Sequence, residues 1–449
     1  MHIISSYKVK IKDFNHCFDE TIRVYQEAVS FFMDVCQKEW KSFQGLSNNK
    51  AVSLMEKLTL ATKKRPTVKY DFNACFYKTP CYLRRAAIAQ AIGAYSSWFS
   101  NHENWKNNPN GKNESKLQLD RNVMPVFYKG NMFKRIGEDE AIVKVFFNND
   151  WVWLRISLRR QDVKYILKHC SGAKEFSPVL EKKGKRSYLR FAFQEETELN
   201  KTDIQKQRVC AVDLGLNNDA VCSVMDAEGT VIARRFIRQA VEKDHLHTVL
   251  NRIRNQQQHG ARRCRKLWSI ADNINREISR KTASDILSFA YEYNVDVIVF
   301  EHLDTKGKKK GKNKQKLSLW RKKEVQNIVE HRAHRLGMRI SRICAWNTSR
   351  LAYDGSGVVE RGKYTQNGVE KYNYSICVFQ SGKQYHCDLN ASYNIGARYF
   401  IRELLKSDSV RRRLPSQTKD SDYGTGTTRT LSSLNKLNAD ISKVSLLTA

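Results

Sequence analysis

The chain has 449 residues and a formal net charge of +33, because 79 lysine and arginine residues outnumber 46 aspartate and glutamate residues. Hydrophobic residues make up 41% of it, enough to build globular cores, yet no apolar run approaches the roughly 20 residues of a membrane-spanning helix. A positive surplus of this size indicates a polyanionic partner, and nucleic acid is the first choice.

The eleven cysteines are an odd number and are scattered within apolar runs such as "VSFFMDVCQ" and "ISRICAW". This usage is typical of reduced, buried thiols rather than of a disulfide framework. The first residues, "MHIISSYKVKIKD", alternate like a strand and lack the apolar core of a signal peptide. We therefore expect a cytoplasmic protein.

The N-terminal part is predicted to form one strand followed by a helical lobe. Residues 1–12 alternate apolar and polar side chains, as a β-strand does. Residues 14–40 and 82–105 instead repeat apolar side chains at helical spacing, with polar linkers such as "NNPNGKNESK" between and after them. We assign residues 1–12 to a strand and residues 13–122 to a helical lobe.

The pattern changes to strand periodicity from residue 123 onwards. In "AIVKVFFNNDWVWLRISLRR" the apolar Val152, Leu154 and Ile156 alternate with polar or aromatic neighbours, and "NND" marks a turn. The segment "RSYLRFAFQEE" alternates in the same way. We expect residues 123–207 to form antiparallel strands that join the strand at 1–12 in a small β-barrel with a basic outer face.

Residues 208–345 are predicted to form a mixed α/β domain. Three strands, at 209–216, 219–226 and 230–237, are separated by the turn signals "NN" and "AEG". A long basic helical region at about 241–294, the buried strand "VDVIVFEHLD", a further helix and the strand "MRISRICAW" follow. This β-β-β-α-β-α-β order is compatible with an RNase H-type sheet.

Acidic residues stand at the ends of two of these strands and at the beginning of a later helix. Asp213 closes the strand "VCAVD", Glu301 closes "VIVFE", and Asp388 opens the helix "DLNASYNIGARYFIREL". A carboxylate on an apolar strand is costly to bury unless something pairs it. Each residue alone could be an ordinary N-cap or surface charge. Because the ends of neighbouring strands lie about 5 Å apart, the three together predict one site.

Three carboxylates can share a site only with a cation, because like charges repel strongly at that range. Mg²⁺ meets this need, since it prefers a few carboxylates together with waters. Two such ions about 4 Å apart can activate a water and stabilise the leaving oxygen in phosphodiester cleavage. We predict that Asp213, Glu301 and Asp388 are catalytic and bind Mg²⁺ or Mn²⁺, as two ions, while Gly215 lets a phosphate or metal approach the backbone.

Three segments carry a resemblance to a known family. "VDLGLNNDAV", "IVFEHL" and "DLNASYNI" resemble the RuvC motifs of the TnpB nucleases of insertion sequences and of the related compact type V CRISPR effectors. "NTSR" at 347–350 resembles the Thr-Ser element that precedes this family's zinc-finger-like insertion. The motifs cover residues 208–402, and the upstream resemblance rests on the order of strand, helical lobe and barrel.

The resemblance implies a fold class and a function. The fold is an α+β multidomain protein with an RNase H-like (RuvC) nuclease domain at 208–345, a wedge-type β-barrel and a helical recognition insertion. The function is that of an RNA-guided, Mg²⁺-dependent DNA endonuclease of a prokaryotic cell, which recognises a short motif beside its target. Its partners are a guide RNA and double-stranded target DNA with a displaced single strand, without a membrane. The guide is either a CRISPR RNA or a transposon-end transcript.

The chain departs from the family in the insertion, at 346–387. Most relatives carry two Cys-x-x-Cys pairs there, a strong zinc signature. Here Ala352 and Gly355 occupy the first pair, and the second keeps Cys377 but has Gln380. We therefore predict no bound zinc, although His386 and Cys387 are nearby, and a small hairpin that folds on aromatic residues, namely Tyr353, Tyr372, Tyr374 and Phe379. The last RuvC helix follows at 388–405.

Some relatives place a catalytic arginine in this insertion, and Arg361 is the candidate here. Two basic segments are predicted to contact nucleic acid. In "RNQQQHGARRCRK" the side chains of Arg262, Arg263 and Arg265 flank a glycine turn. The segment "KGKKKGKNKQK", which includes Lys308, Lys309 and Lys310, follows Glu301 in the sequence. It is either a lid that contacts nucleic acid or a solvated loop. Residues 406–449 are rich in Ser, Thr and Asn and are predicted to be disordered.

Two other functions remain compatible with the residues. An RNA-guided DNA-binding repressor without cleavage activity would use the same basic surfaces, but it would have no need for three mutually repelling acids. A guide-independent RuvC-type transposase or junction resolvase would use the acids, but the helical lobe and the wedge-like barrel argue against it.

Overall fold

Residues 1–13, 16–108, 122–302, 321–411 and 419–447 are described by the computed structural model, together with positions 114, 116–118, 120 and 414. The contacts divide the chain into one unit at His2–Glu196 and a second at Thr197–Ala449, which also includes Met1. The boundary follows Glu196, whereas the sequence pattern placed it after residue 207. No helix in the described part is long and apolar enough to cross a bilayer.

The first unit combines long helices with antiparallel strands around one apolar core. Its longest helix buries an aromatic stripe that includes Phe18, Tyr25 and Phe32, as the helical spacing predicted. The core also contains inward-facing strand residues such as Leu189 and Phe191. The helices are α1 (Cys17–Phe43), α2 (Asn48–Thr59), α3 (Phe72–Cys75), α4 (Cys81–Asn107) and α5 (Arg160–His169). The strands are β1 (His2–Lys10), β2 (Phe133–Arg135), β3 (Glu140–Phe147), β4 (Asp150–Ser157), β5 (Lys174–Glu175), β6 (Val179–Lys183) and β7 (Arg186–Glu196).

The predicted closed wedge-type barrel is wrong for the described residues, because the strands pair in two separate sheets. β7 pairs with β1, β5 and β6, and β3 lies between β2 and β4. The two sets meet at an isolated bridge of Ile11 to Leu158 and at two backbone hydrogen bonds beside it, from Lys12 to Ser157 and from Arg159 to Lys10, both 2.8 Å long. A barrel requires continuous pairing around its circumference. Alternation identifies antiparallel strands, but it does not specify which strand is the next neighbour. In β4 it also assigns the wrong face to Val152, which is 38% exposed, while its neighbour Trp151 is buried.

The second unit is built on a five-stranded mixed sheet. The strand order is β10-β9-β8-β11-β12, with antiparallel pairs between β10, β9 and β8 and parallel pairs between β8, β11 and β12. The predicted mixed α/β architecture is therefore present. These strands are β8 (Arg208–Asp213), β9 (Ala220–Asp226), β10 (Val231–Ile237), β11 (Val297–His302) and β12 (Arg339–Cys344).

Helices cover both faces of this sheet. Alternate residues of β8 and β11 pack into two different cores, so that Ala211 and Val299 face one side while Val212 and Phe300 face the other. The predicted helical region at 241–294 is two helices, separated by a turn in which Gly260 has φ +88°. The helices are α6 (Ala240–Gln258), α7 (Arg265–Glu292), α8 (Lys322–Arg335) and α9 (Cys387–Lys406).

A small three-stranded sheet precedes α9 and consists of β13 (Glu360–Gln366), β14 (Val369–Val378) and β15 (Gln384–His386). Its apolar cluster contains Phe379, Cys377 and Cys387, with Tyr353 packed against it. The prediction that Tyr372 and Tyr374 belong to this core is wrong, since they are 62% and 66% exposed. They are neighbours on one face of β14, which points away from the cluster.

The predicted disordered tail at 406–449 differs from the structure over its described part. Helices α10 (Asp408–Arg411) and α11 (Leu431–Leu447) follow α9. A stripe at helical spacing, Leu431, Leu434, Leu437 and Ile441, packs into the core that α9 shares with the sheet. The prediction failed because the tail is mostly polar in composition. Four apolar side chains on one face are nevertheless enough to dock a helix when a partner surface is present.

Candidate active site

The register of β8 and β11 brings Asp213 and Glu301 together. These parallel strands pair Val212 with Phe300, so the next residue on each strand is a carboxylate. Neighbouring strands lie about 4.8 Å apart, and in-register parallel residues point to the same face. Because Ala211 and Val299 face α9, the two carboxylates also face α9.

Asp388 approaches from that helix. It lies in the first turn of α9, where a carboxylate is favoured by the helix dipole. Asn218 donates from Nδ2 to Asp388 Oδ2 at 2.9 Å. Gly215 leaves room for the Asn218 backbone in this turn. A Cβ on Gly215 would lie 2.8 Å from the carbonyl oxygen of Asn218 and 3.8 Å from Asp388 Oδ2. The turn after β8 therefore needs glycine at this position.

The charges of the three acids act on one another. The pKa of Asp213 is well above its usual value, first because its carboxyl is buried and then because Glu301 and Asp388 repel its charge. Burial also raises the pKa of Glu301, a residue that is 8% exposed. Glu301 and Asp388 are thus close enough to Asp213 to oppose its ionisation.

Glu301 is held by neighbours that the sequence analysis gave no role. The Thr348 hydroxyl donates to Glu301 Oε1, and Gln326 Nε2 donates to the Glu301 backbone oxygen at 3.1 Å. Asn394 of α9 in turn donates to the Thr348 carbonyl at 2.9 Å. Thr348 belongs to the "NTSR" segment, so the resemblance was the one signal in the sequence that pointed to it.

Positive charge enters the site from two arginines. Arg361 of β13 lies near enough to lower the pKa of Asp213, and its Nη2 donates to the Ser349 carbonyl at 2.8 Å. Arg398 of α9 opposes the rise in the pKa of Glu301. Burial lowers the pKa of Arg398 itself to about 10. The candidate arginine of the insertion therefore lies close enough to act on the charge of Asp213.

Arg398 also joins the tail to the site. It donates to the carbonyls of Cys344, the last residue of β12, and of Trp346, at 2.9 and 2.8 Å. It donates to the carbonyls of Thr427 and Arg429, just before α11, at 2.9 and 3.0 Å. The only sequence signal for this connection was that Arg398 stands alone as an arginine on the buried face of its helix.

The donor chemistry fits a hard divalent cation. Asp213, Glu301 and Asp388 supply only carboxylate oxygens, the ligands that Mg²⁺ prefers. In the part of the chain that the structure describes, no three or more His, Cys, Asp and Glu side chains are already grouped to hold an ion. Waters and phosphate oxygens normally complete a Mg²⁺ shell that has few protein ligands.

Apolar side chains, in place of a zinc site, hold the strands of the insertion together. Ala352, Cys377 and Cys387 are each at most 1% exposed and pack with Phe379. Cys377 and Cys387 donate to backbone carbonyls of Tyr385 and Tyr374, both at 3.4 Å. These thiols therefore take part in the packing of the small sheet.

We expect purified protein to contain well under one zinc per chain, because the four-cysteine site is missing and the apolar cluster replaces it. Elemental mass spectrometry after dialysis measures this directly. A stoichiometric zinc signal that disappears in Cys377→Ser would show that the cysteines and His386 ligate the metal.

Of the remaining predicted residues, the three arginines do not contribute to the carboxylate site. Arg262, Arg263 and Arg265 are exposed in the turn between α6 and α7 and at the start of α7. Lys308, Lys309 and Lys310 lie outside the described residues, and their contact with nucleic acid stays a prediction.

Comparisons with known proteins agree with the resemblance seen in the motifs. The Aq_aa04 family matches residues 5–147. An uncharacterised protein of Aquifex aeolicus (strain VF5), aq_aa04, is 29% identical over 157 residues, which are 32% of this chain and 84% of that protein. The TnpB-like protein aq_aa05 of the same organism is 24% identical over 245 residues, 49% of this chain and 76% of that protein. The second relative confirms the similarity to TnpB-like proteins.

Among solved structures, a Cas12f1-sgRNA-target DNA complex matches with a TM-score of 0.47 and 13% identity, over 87% of this chain and 99% of that chain. CasPhi-2 (Cas12j), bound to crRNA and phosphorothioate DNA, matches with a TM-score of 0.48 and 8% identity, over 88% of this chain and 91% of that chain.

Proposed function

We propose that this chain, which is similar over 49% of its length to a TnpB-like protein, is an RNA-guided DNA endonuclease with an RNase H-like (RuvC) active site. The observation that carries the proposal is the convergence of Asp213, Glu301 and Asp388 from β8, β11 and α9. The pKa of Asp213 is raised by burial and then by Glu301 and Asp388, an arrangement that is unfavourable in a protein that has no use for a cation there.

The three carboxylates would hold one or two Mg²⁺ or Mn²⁺ ions, which activate a water and stabilise the leaving oxygen of a phosphodiester. The chain's own groups position these ligands. Thr348 orients Glu301, and Asn218 orients Asp388. Arg361 places a guanidinium at the same site, where it can stabilise the charge that develops on the phosphate.

The partners follow from the charge and from the relatives. A net charge of +33 suits the backbones of a guide RNA and a target DNA, which a protein holds without reading their sequence. Base pairing with the guide would read the target, and the protein would recognise a short motif beside it and bind the displaced strand. The three carboxylates favour this function over a repressor that lacks cleavage activity.

The test is to purify the protein with its cellular RNA, sequence that RNA, and offer DNA that matches its variable segment. We expect cleavage that requires the matching RNA, the motif beside the target and a divalent cation. RNA-dependent binding without any cleavage would indicate the repressor instead. Cleavage that persists after RNase treatment would indicate a guide-independent nuclease.

Affinity for DNA should fall steeply with salt, because each phosphate that the protein neutralises releases condensed counterions. Replacing Arg262, Arg263 and Arg265 by alanine should lower the affinity and reduce the slope of log K against log salt by about 0.9 for each duplex phosphate that the variant no longer neutralises. Matched and mismatched targets should weaken by similar factors, since phosphate contacts carry no sequence information. Binding isotherms at several salt concentrations measure both quantities.

The control for this prediction is the pair Arg276→Ala and Arg280→Ala on the same helix. These side chains already lie near acids of α7, with Arg276 2.9 Å from Asp272 and Arg280 3.9 Å from Glu277. Their removal should change the slope less per charge. An unchanged slope in the triple variant would show that the turn is only a solvated surface.

A further inference from the structure

An exposed aromatic side chain lies on the carboxylate face of the five-stranded sheet, at its edge. β10 is an edge strand, and Phe236 near its end is 45% exposed. In the strand pairing Phe236 is opposite Val221 of β9, which is itself opposite Asp213 of β8. Directly opposed residues of antiparallel strands point to the same face. Phe236 and Asp213 therefore share the face that α9 covers, where Val221 packs.

The surroundings of Phe236 agree with this orientation. Its neighbours in β10 point to the opposite face, since the Arg235 guanidinium lies 4.7 Å from the Phe289 ring of α7 and Ile237 is buried in the core on that side. Phe236 instead contacts His386, just before α9, with ring centroids 4.8 Å apart and planes at 77°. This edge-to-face contact orients the Phe236 ring, while nearly half of the residue remains accessible.

The strand register also sets the distance between Phe236 and the acids. Two strand spacings of about 4.8 Å separate Phe236 from Asp213, so the two residues are about 10 Å apart across the sheet. Stacked nucleotides rise about 3.4 Å each along one strand. A base in contact with Phe236 would therefore lie within about three nucleotides of a phosphate at the carboxylates.

Arginine residues stand on both sides of Phe236. Arg234 and Arg238 come two positions before and two positions after it, and both are exposed. Arg238 is connected to the acids, because its Nη2 donates to Asn218 Oδ1 at 3.0 Å and Asn218 Nδ2 donates to Asp388 Oδ2 at 2.9 Å. Proteins hold a single nucleic-acid strand in this way, with bases stacked on aromatic rings and phosphates beside cations.

We propose that Phe236 stacks on a base of the DNA strand that is cut, within about three nucleotides of the scissile phosphate. The proposal rests on the proposed nuclease function and names a binding subsite of the same centre. Arg234 and Arg238 would contact the neighbouring phosphates, and the ring would orient the strand toward the carboxylates. Every base has a π-face, so the subsite has little sequence preference.

The test combines an altered substrate with an altered enzyme. The RNA-loaded protein first cuts a matched target, and the cut position is mapped. Single abasic residues are then placed at each position within about three nucleotides of the scissile phosphate, the window that the strand register sets. A further substrate carries its abasic residue well outside this window. We expect single-turnover cleavage to slow about tenfold at one position in the window, since the stacking of one base is lost. The distant abasic residue should have no effect.

Phe236→Leu keeps an apolar side chain and removes the aromatic ring. It should slow cleavage of the normal substrate about tenfold, but it should not slow cleavage of the sensitive abasic substrate further, because that substrate has no base to stack. Phe236→Tyr keeps the ring and should retain the wild-type rate. Ile232→Ala is the matched control and should cut both substrates as the wild type does. Ile232 is 40% exposed on the same strand, about 13 Å from Phe236 and toward the end remote from the acids.

The outcomes separate this subsite from the nuclease function itself. If the wild type cuts no matched target, the proposed function fails and the subsite fails with it. If the wild type cuts, but no abasic position in the window slows it, only the subsite is wrong. If Phe236→Leu slows the normal and abasic substrates by the same factor, Phe236 supports the fold of the site and does not contact a base. Melting temperatures within about 2 °C of the wild type would show that the variants remain folded.

Discussion

Replacing Asp213, Glu301 or Asp388 by alanine should each lower the rate of DNA cleavage about a thousandfold or more, because a bound metal supplies several kcal/mol of transition-state stabilisation. If the three carboxylates bind metal as proposed, the loss of any one of them disrupts the same centre. Guide-dependent DNA binding should remain largely intact, since phosphate contacts elsewhere supply most of the affinity. Single-turnover cleavage and binding isotherms on the same RNA-loaded protein separate the two effects.

Asp226→Asn is the matched control for the cleavage experiment. Asp226 ends β9 as Asp213 ends β8, but it accepts a hydrogen bond from the Thr230 backbone at 2.9 Å, in a turn away from the acids. Its cleavage rate should stay near that of the wild type. EDTA should abolish cleavage, and Mg²⁺ or Mn²⁺ should restore it. Any alanine variant that cuts at the wild-type rate would remove that residue from the metal site.

Asp213→Asn should stabilise the metal-free protein while it removes activity. Burial of the Asp213 carboxyl, and then repulsion by Glu301 and Asp388, raises its pKa well above the usual value. A neutral amide of the same shape relieves that repulsion, and such active-site substitutions commonly gain about 0.5–2 kcal/mol. The melting temperature in EDTA should therefore rise by roughly 1–8 °C, at about 2–4 °C per kcal/mol for a unit of this size.

The pH dependence of this gain has a definite sign. The native pKa of Asp213 lies above the unfolded value of about 3.9. Below the unfolded pKa the carboxyl is neutral in both states, and the repulsion is absent. As the pH rises from there through the native pKa, the wild type loses stability relative to the variant. The difference in melting temperature should widen from pH 4 to neutral pH.

Mg²⁺ should narrow the same difference, because a ligand that binds the native state stabilises it by mass action and the variant has lost one of the metal ligands. Thermal unfolding followed by circular dichroism, with EDTA and then with Mg²⁺, measures both effects. Asp226→Asn is again the control and should gain no stability, because the asparagine Oδ1 can accept the same hydrogen bond from the Thr230 backbone. A lower melting temperature for Asp213→Asn in EDTA would show that the carboxylates are not in repulsion.

Local patterns in the sequence were sufficient to predict many of the strands, turns and helices of the second unit. Continuous apolar runs ending in a carboxylate identified β8 and β11, because a buried parallel strand has no polar face and a charge is tolerated only at its end. The turn signals between β8, β9 and β10 are local as well. The helix that begins at Asp388 follows from its apolar spacing. These features depend on residues only a few positions apart.

The first unit and the tail show where local patterns were insufficient. Alternation located strands such as β3, β4 and β7, but it carries no information about which strands are neighbours, so the barrel was wrong. The polar tail gave no strong local signal, yet α11 packs its stripe against the core of α9. Helical stability in proteins comes largely from such tertiary packing.

The sequence by itself determined the basic character of the protein, the three acids and the elements that carry them. Only the tertiary structure decided what surrounds those acids. Thr348 contacts Glu301, 47 positions away in the chain, and Arg398 connects the end of β12 to the tail. Side-chain contacts across such separations depend on how the elements pack against one another. The spacing of residues along the chain is not sufficient to predict that packing.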